Sequence, residues 1–410
     1  MSAVLKSSNH WKNRMRNFQS LELFAGKLPI IGTFAAVLLT SAIRAGAVII
    51  DHSNGTLATN ADLTVMTRIG KLRWFFTHAS VGGNITTGMN VLHGSDTNRY
   101  RLQIYNYDGD DSDWSYHGGV ATAGTEGTAA YRASATPSVT SNGMIYECMR
   151  GNPDWGNKMT CFSNSLVTSG WRFPKVNVAM DKFCWIDPYA DPADYCTMMS
   201  RLEGRFPETL FVYLTMPLSG YDFDENDERN TFNCYVRSFC ATNSKHLLDV
   251  ADLEAWNVSG IEQTYDSSGT TNQKMSFDYS LDEYGDWHLN STGRRRMALA
   301  WYSLAASLFI IDRDGDGATD GDELLAGTQP TNPASCFQFT AAVWTNGMRV
   351  SFNCSTARVY ALESRTNLLA GSWQTVSGCG SVTGIAGGVL PITDTNQAVQ
   401  KYYRVNVRTP

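Results

Sequence analysis

The chain has 410 residues and a formal net charge of −6, with 43% hydrophobic and 18% charged residues. This composition is too apolar for a disordered protein, and the length is typical of two or three domains. An acidic chain also lacks the basic surface that nucleic-acid-binding proteins use, so the charge argues against a nucleic-acid partner.

The N-terminal segment has the pattern of a secretory signal. The basic residues Lys12, Arg14, Arg16 and Lys27 precede an uncharged apolar run at 28–43 (LPIIGTFAAVLLTSAI), and small residues follow it at Ala45-Gly46-Ala47. The run is shorter than the about 20 residues of a bilayer span, so a single membrane anchor is the weaker alternative. We therefore predict a signal peptide at 1–47 and a bacterial protein that is secreted, periplasmic or on the cell surface. No later stretch is long and apolar enough to span a membrane.

Without residues 1–47 the chain has 27 basic and 38 acidic side chains, a net charge of −11, and it keeps all nine cysteines. None of the cysteines forms a C-x-x-C pair, which argues against a zinc ribbon. In an oxidising compartment some can pair, and the pairs nearest in sequence are Cys234 with Cys240 and Cys148 with Cys161.

Residues 48–310 are predicted to form an α/β domain. Continuous apolar strands separated by amphipathic helices indicate a parallel sheet that is covered on both faces. Stretches rich in Gly, Thr and Ser, at 107–143 and 257–275, are predicted to be long loops. The predicted strands are Leu72–Thr77, Met144–Cys148, Val176–Ile186, Thr209–Thr215 and Leu247–Val250, and the predicted helices are Asp191–Arg205, Asp227–Thr242 and Ser291–Ile310, the last with an N-cap Ser or Thr.

Residues 336–410 have a different pattern. Short alternating runs such as FQFTAAVW, MRVSFNC, RVYALES and KYYRVNV are divided by Gly, Asn and Ser turns. This pattern predicts a small all-β domain, a β-sandwich. An acidic, Gly-rich linker at 311–335 separates the two domains.

The linker contains a complete calcium-loop pattern, D-x-D-x-D-G-x5-E. Calcium prefers six to eight hard oxygen ligands, and this spacing supplies them from one short loop in which Gly317 permits the sharp turn. The alternative is a solvated acidic linker. The predicted ligands are the side chains of Asp312, Asp314 and Asp316, the backbone carbonyl of Ala318, Asp320 directly or through water, and a bidentate Glu323.

The helix that follows the loop (ELLAG) is predicted to stop within two turns at Gly327 and Pro330. The stretch DRDGDGATDGDELLAGTQPTNPAS resembles single calcium repeats of the thrombospondin type 3 or dockerin-like kind, which occur in exported bacterial proteins. The resemblance implies a structural calcium ion and a rigid clip rather than a switch.

Ser80 has the position of a nucleophile. The segment RWFFTHASVGGN, residues 73–84, places Ser80 after an apolar strand and within a Gly-rich turn, where backbone N–H groups can stabilise an oxyanion. A simple turn serine is the alternative. His78 and Asn84 flank Ser80; we predict that His78 caps the turn rather than acting as a base, and His52 can have either role.

A candidate base lies in DWHLNSTGRRRMALAWYSLA, residues 286–305. His288 stands in a loop before a long helix, and Asp286 lies two residues earlier. An imidazole is suited to accept a serine proton near neutral pH, and a carboxylate would fix its tautomer. Alone, His288 could equally be a surface histidine.

Together these segments resemble the SGNH (GDSL-like) hydrolases over residues 48–309. The resemblance is to a bacterial branch in which a His-x-Ser-x-Gly turn replaces Gly-Asp-Ser, and it extends to IIDHSN, MRGNPDWGNK and TLFVYLTMPL. It implies a three-layer α/β/α, flavodoxin-like fold and metal-free ester hydrolysis, often of acyl groups on carbohydrate. It also implies catalytic roles for Ser80, His288 and Asp286.

Two departures from the family pattern affect the remaining site residues. The family spaces acid and base as D-x-x-H, whereas this chain has D-x-H, so Asp282 is an alternative to Asp286. Gly151 and Asn152 can supply the oxyanion hole, but the G-x-N-D expected after 176–186 is absent. Asp181, Lys182 and Asp187 stand there instead.

The sequence therefore predicts a secreted serine esterase acting on O-acyl, such as acetyl, esters of carbohydrate. An alternative is a catalytically degenerate SGNH-fold protein that binds carbohydrate or a cell surface. A third is a calcium-stabilised structural protein of the cell surface.

Overall fold

The computed structural model describes residues 5–7, 46–106, 143–168, 176–221, 225–281, 287–344, 346–367, 370–386, 388–396 and 401–409. The chain divides into two compact units, one spanning Gly46–Ile310 and the other Ile311–Pro410 with the N-terminal segment. In the described ranges no helix has the length and hydropathy of a membrane span. The predicted apolar run at 28–43 lies outside them.

A parallel seven-stranded sheet forms the centre of the first unit, as predicted. Its strands have the spatial order β2-β8-β7-β6-β3-β5-β4, and every neighbouring pair is parallel. The first strand of the chain, β1 (Leu5–Ser7), belongs to the second unit. The strands of the parallel sheet are β2 (Ile49–Ile50), β3 (Arg73–His78), β4 (Gln103–Asn106), β5 (Met144–Met149), β6 (Val178–Asp181), β7 (Leu210–Leu214) and β8 (His246–Leu248).

Helices cover both faces of this sheet. Successive residues of β3 point to opposite faces, because side chains alternate along a strand. Phe75 packs against Phe162, whereas the rings of Trp74 and Phe76 contact Trp301. The helices are α1 (Leu63–Ile69), α2 (Val81–Ser95), α3 (Trp155–Thr168), α4 (Pro192–Arg205), α5 (Asn226–Asn243), α6 (Val250–Ala255) and α7 (Ser291–Leu308), with short 3-10 turns at Leu57–Thr59 and Phe277–Tyr279.

Three sequence expectations in this unit are wrong in detail. The strand predicted over 176–186 ends at Asp181, because the next residues enter a buried polar network described below. The predicted loop 257–275 contains an antiparallel hairpin of β9 (Thr264–Ser267) and β10 (Thr270–Gln273). The N-cap of α7 is Asn290, whose side chain accepts from two backbone N–H groups of the first turn.

The second unit is built from two small antiparallel sheets, which agrees with the predicted all-β domain. One sheet has the order β11-β12-β16, and the other has β1-β17-β13-β14 with β15 beside β13. Buried residues of both sheets, among them Phe352 and Tyr360, share one core. The elements are helix α8 (Asp320–Ala326) and strands β11 (Phe339–Trp344), β12 (Met348–Asn353), β13 (Val359–Arg365), β14 (Gln374–Thr375), β15 (Val382–Thr383), β16 (Val389–Asp394) and β17 (Lys401–Arg408).

All nine cysteines are free thiols. The two pairs nearest in sequence are therefore not disulfide-bonded. Cys234 and Cys240 both lie on α5, where a separation of six residues places them on different faces, one exposed and one buried. Cys148 and Cys161 are both buried in the core on one face of the sheet as thiols.

Candidate active site

Ser80 lies in a sharp turn between the end of β3 and the start of α2. Its backbone has φ 50° and ψ −105°, and few other non-glycine residues of the described ranges have positive φ. Such a conformation is strained for an L-residue and persists only where its surroundings enforce it. A strained strand-to-helix turn is the geometry that exposes a nucleophilic serine in other hydrolase folds. The Ser80 hydroxyl forms a short hydrogen bond with Nε2 of His288, 208 residues away.

A glycine is required two residues after Ser80. A Cβ on Gly82 would lie 2.3 Å from the side chain of His78, whereas a Cβ on Gly83 would meet nothing closer than 3.9 Å. Gly82 therefore lets the helix start directly over His78. The His-x-Ser-x-Gly spacing is thus a packing requirement of the turn.

His78 is part of the support beneath this turn. It is fully buried, and its Nε2–H donates to Oε1 of Glu147 on β5 at 2.8 Å. Glu147 also accepts from the Thr86 hydroxyl of α2 at 2.6 Å, so the carboxylate ties β3, β5 and α2 together. The structural role predicted for His78 fits these contacts.

Burial and hydrogen bonding set the charges of this pair. Burial lowers the pKa of His78, although the neighbouring Glu147 opposes the shift. Burial works against ionisation of Glu147, but its bonds to His78 and Thr86 and the charge of His78 leave its pKa below the ordinary value. At neutral pH, His78 is therefore neutral and donates a hydrogen bond to an ionised Glu147. The Ser80 hydroxyl bonds His288 and not His78, so His288 is the candidate base of the two.

The loop that carries His288 is fixed to the nucleophile turn. Leu289 N–H donates to the side chain of Asn84, in the first turn of α2, at 2.7 Å. The backbone carbonyl of His288 accepts from Leu281 N–H at 2.8 Å. Asn84 is therefore a positioning group, as its place beside Ser80 suggested. Asp286 and its alternative Asp282 lie outside the described residues.

The proposed oxyanion residues follow β5, next to the turn. In the parallel register Met149 pairs with His78, and Arg150 N–H donates to the His78 carbonyl. Gly151 has φ 67°, a left-handed conformation that glycine adopts without strain. Asn152 is exposed, and its side-chain oxygen accepts from Lys158 at 3.2 Å.

A buried polar network occupies the place where the family has G-x-N-D. Asp181 accepts from Arg150 at 2.8 Å and from the Thr77 hydroxyl at 2.6 Å. Lys182 is fully buried, and its ammonium donates to the Phe183 carbonyl. Burial raises the pKa of Asp181 and lowers that of Lys182 to about 8. These side chains end β6 early and tie it to β3 and β5.

Several site residues were not predicted from the sequence. Glu147 and Lys158 stand within MIYECMR and MRGNPDWGNK, but nothing in their spacing indicates their partners. An aromatic cluster beside His288 was also missed: Tyr221 and Phe277 contact the buried Trp287, and Phe277 is half exposed. Polar residues inside apolar stretches were the only available clue.

His52 lies away from this site. It follows β2, four strand positions from β3, which is about 19 Å at ~4.8 Å per strand. Its Nδ1 bonds Asp252 at 2.6 Å, and its ring stacks on Trp256 with centroids 3.7 Å apart. Of its two possible roles, this geometry supports the structural one.

The predicted calcium loop folds around its own carboxylates. Carboxylate oxygens of Asp312, Asp314 and Asp316 lie within 4.8 Å of one another. Gly315 and Gly317 have φ of 76° and 93°, and both donate their N–H to Asp312. The helix α8 then ends at Gly327 in a left-handed conformation, as predicted. The loop geometry fits a hard, oxygen-preferring cation.

The charges of the loop also fit a cation. Burial, together with Asp314 and Asp316, raises the pKa of Glu323 to about 9, and its Oε2 has no hydrogen-bond partner. The two carboxylate oxygens of Asp320 accept from the backbone N–H and the side chain of Arg313. Each oxygen has a second lone pair, so these bonds leave both predicted uses of Asp320 open, direct binding of an ion or binding through water.

No family model matches the chain, and no curated protein matches it. Among solved structures, a tail fibre protein of an E. coli phage aligns with 12% identity and a TM-score of 0.29 over 88% of this chain, which spans 50% of that protein. A two-domain esterase active on acetylated mannans aligns with 11% identity and a TM-score of 0.29, over 88% of this chain and 93% of the esterase. A capsular polysaccharide assembling protein of Staphylococcus aureus aligns with 8% identity and a TM-score of 0.17, over 75% and 96%. TM-scores this low assign no activity to the chain.

Proposed function

We propose that this protein is a serine esterase. The observation that carries the proposal is the hydrogen bond between Ser80, in its strained turn, and Nε2 of His288. A hydroxyl is a weak nucleophile until a base accepts its proton, and a neutral imidazole is the side chain best suited to do so near pH 7. A solvated turn serine would need neither the strain nor the histidine.

In this mechanism the Ser80 oxygen attacks the ester carbonyl while His288 accepts the hydroxyl proton. The carbonyl oxygen becomes an oxyanion, which the Ser80 N–H, the Gly151 N–H and the Asn152 side-chain amide stabilise. His288 then protonates the departing alcohol, which leaves an acyl-enzyme on Ser80. Water that loses a proton to His288 hydrolyses this intermediate to the free acid and Ser80. Asp286 would hold the imidazole tautomer.

Support for a carbohydrate substrate comes from the surroundings of His288. The half-exposed ring of Phe277, with Tyr221 and Trp287 beside it, offers an aromatic face on which an apolar face of a sugar ring can stack. We assign O-acyl, such as acetyl, esters of carbohydrate as substrates. Export through the predicted signal at 1–47 would bring the enzyme to extracellular or cell-surface polysaccharide.

A fluorophosphonate probe tests the esterase directly. It should label the wild-type protein, and Ser80→Ala should abolish labelling. A folded wild-type sample that neither reacts with the probe nor hydrolyses acetylated sugars or aryl acetates would contradict the proposal. Such a result would favour the non-catalytic, carbohydrate-binding alternative.

We also infer a structural calcium ion in the loop 312–323. Support comes from the close carboxylates of Asp312, Asp314 and Asp316 and from the unpartnered oxygen of Glu323. These groups and the Ala318 carbonyl would hold the ion, and Asp320 would join directly or through water. The ion would neutralise the loop and take no part in ester hydrolysis. Calorimetric titration should give one calcium per chain, and loss of that stoichiometry in Asp314→Ala/Glu323→Ala would locate it.

A further inference from the structure

A buried lysine lies behind the proposed oxyanion residue Asn152. Lys158 is on the first turns of α3, and its side chain has no exposed surface. Its ammonium donates to Oδ2 of Asp187 at 2.5 Å and to Oδ1 of Asn152 at 3.2 Å. Asp187 in turn accepts from Cys184 N–H at 2.8 Å. Hydrogen bonds therefore connect Asp187, which follows β6, through Lys158 to Asn152, which follows β5.

The chemistry of lysine fixes which way the Asn152 amide faces. An ammonium group is a donor only, so it can bind the amide oxygen and never the amide nitrogen. With its oxygen on Lys158, the amide has its NH2 group directed elsewhere. Asn152 is otherwise exposed, and an exposed amide without such a contact would rotate freely.

The strand register brings Asn152 to the neighbourhood of Ser80. Continuing the register of β3 and β5 by two residues from the pair His78–Met149 sets Gly151 level with Ser80. Neighbouring strands lie ~4.8 Å apart, so Gly151 and Asn152 flank the nucleophile on this side.

The side of Ser80 opposite β5 faces the residues that follow β6. There the register of β6 continues into Phe183 and Cys184, both of which are buried. The Cys184 N–H is already donated to Asp187. Phe183 and Cys184 therefore do not replace the Asn side-chain donor of the absent G-x-N-D motif.

We propose that Lys158, held by Asp187, is a positioning residue that orients Asn152 so that its NH2 group serves as an oxyanion donor. Asp187, which follows β6 along the chain, thus acts through Lys158 on a donor that follows β5. This inference rests on the proposed esterase function. Burial lowers the pKa of Lys158 while the charge of Asp187 opposes the shift, which makes Asp187 the group that keeps the ammonium charged.

A double-mutant cycle tests the proposal on the full chain, with an aryl acetate as substrate. Asn152→Ala should lower kcat by about 100- to 1,000-fold, the usual effect of removing one oxyanion donor. Lys158→Met should lower kcat by about 10- to 100-fold with KM little changed, because a misplaced donor acts mainly on the transition state. In the Asn152→Ala background, Lys158→Met should have no further effect on kcat. Lys245→Met, which breaks the partly exposed pair with Glu203, is the matched control and should leave kcat unchanged.

Additive losses in the two single variants would overturn the proposal, as would an unchanged kcat in Lys158→Met. If Lys158→Met does not fold, the double variant Lys158→Met/Asp187→Leu removes both buried charges together, which proteins usually tolerate better than loss of one. Its kcat should fall as in Lys158→Met alone and again show no further loss with Asn152→Ala. An inactive wild-type protein that no fluorophosphonate labels contradicts the esterase itself. An active wild type with additive losses contradicts only the role of Lys158.

Discussion

The two candidate sites of this molecule are built in opposite ways. The proposed calcium loop would take its ligands from twelve consecutive residues, so chain connectivity alone brings the carboxylates of Asp312, Asp314 and Asp316 together. The proposed catalytic pair, Ser80 and His288, joins residues 208 positions apart, and only the fold brings them into contact. A local site can therefore be identified from its sequence pattern, whereas a site assembled by the fold needs the fold as well.

The two sites also store unfavourable energy differently. In the loop it is electrostatic, since burial of Glu323 and the nearby charges of Asp314 and Asp316 raise its pKa to about 9, and a cation would offset both. At Ser80 it is conformational, and the turn is held by packing of Gly82 on His78 and by the bonds of Glu147. Loss of an ion should thus affect the loop, and loss of packing should affect the active site.

The largest effect should come from the base. His288→Ala should lower kcat by about 10,000-fold or more, because without the imidazole the Ser80 hydroxyl keeps its proton. The free energy of unfolding should change by less than about 1 kcal/mol, since His288 is only partly buried. Initial rates with an aryl acetate and thermal melts measure both. His93→Ala is the control, because His93 bonds the Tyr100 carbonyl at the other end of α2 and should leave kcat intact.

The next largest effect should come from the turn. Gly82→Ala adds a methyl group 2.3 Å from His78 and should cost about 1–3 kcal/mol of unfolding free energy while displacing Ser80. Gly83→Ala adds the same group where the nearest atom is 3.9 Å away and should be close to neutral. Chemical denaturation and probe labelling of the two variants measure this difference. Equal stability and labelling would mean that Gly82 is not needed for packing.

Calcium should stabilise the unit that contains the loop without changing the esterase rate. At 100 times the dissociation constant the ion should add about 2.7 kcal/mol to the stability of the unit that contains the loop. The buried Arg358 donates to the carbonyls of Leu324 and Leu325, directly after Glu323, so the gain should extend into β13. Hydrogen exchange of Val359–Arg365 should slow when calcium is added to the wild type, and Asp314→Ala/Glu323→Ala should show no response. Equal protection with and without calcium would argue against this coupling.

Sequence patterns predicted the parallel sheet because runs such as LRWFFT and TLFVYLT are continuously apolar, and they predicted the β-domain because its runs alternate. Ser80 and His288 were identified by their places relative to β3 and α7. The hairpin at Thr264–Gln273 was missed because its strands are polar and short, with few buried side chains.

The supporting residues could not be predicted for a physical reason. Glu147 and Lys158 act through partners on other elements, and their sequence neighbours carry no trace of those contacts. The departure from G-x-N-D was visible in the sequence, but its consequence was not. Lys158 contacts both Asp187, which follows β6, and Asn152, which follows β5, and these two contacts appear only in the structure.

The smallest predicted effect is a pH dependence that belongs to the turn and not to the loop. His78 has a folded pKa below its ordinary 6.5, and Glu147 has one below its ordinary 4.5. In both cases the unfolded chain binds protons more readily, so each group stabilises the fold above its ordinary pKa and that stability is lost as pH falls below it. Melting temperatures of the wild type in saturating calcium should therefore fall as the pH drops below 6.5, where His78 contributes, and fall further below pH 4.5, where Glu147 contributes. A shallower slope should appear in His78→Gln/Glu147→Gln, which lacks both titrating groups; identical slopes would assign the acid sensitivity elsewhere.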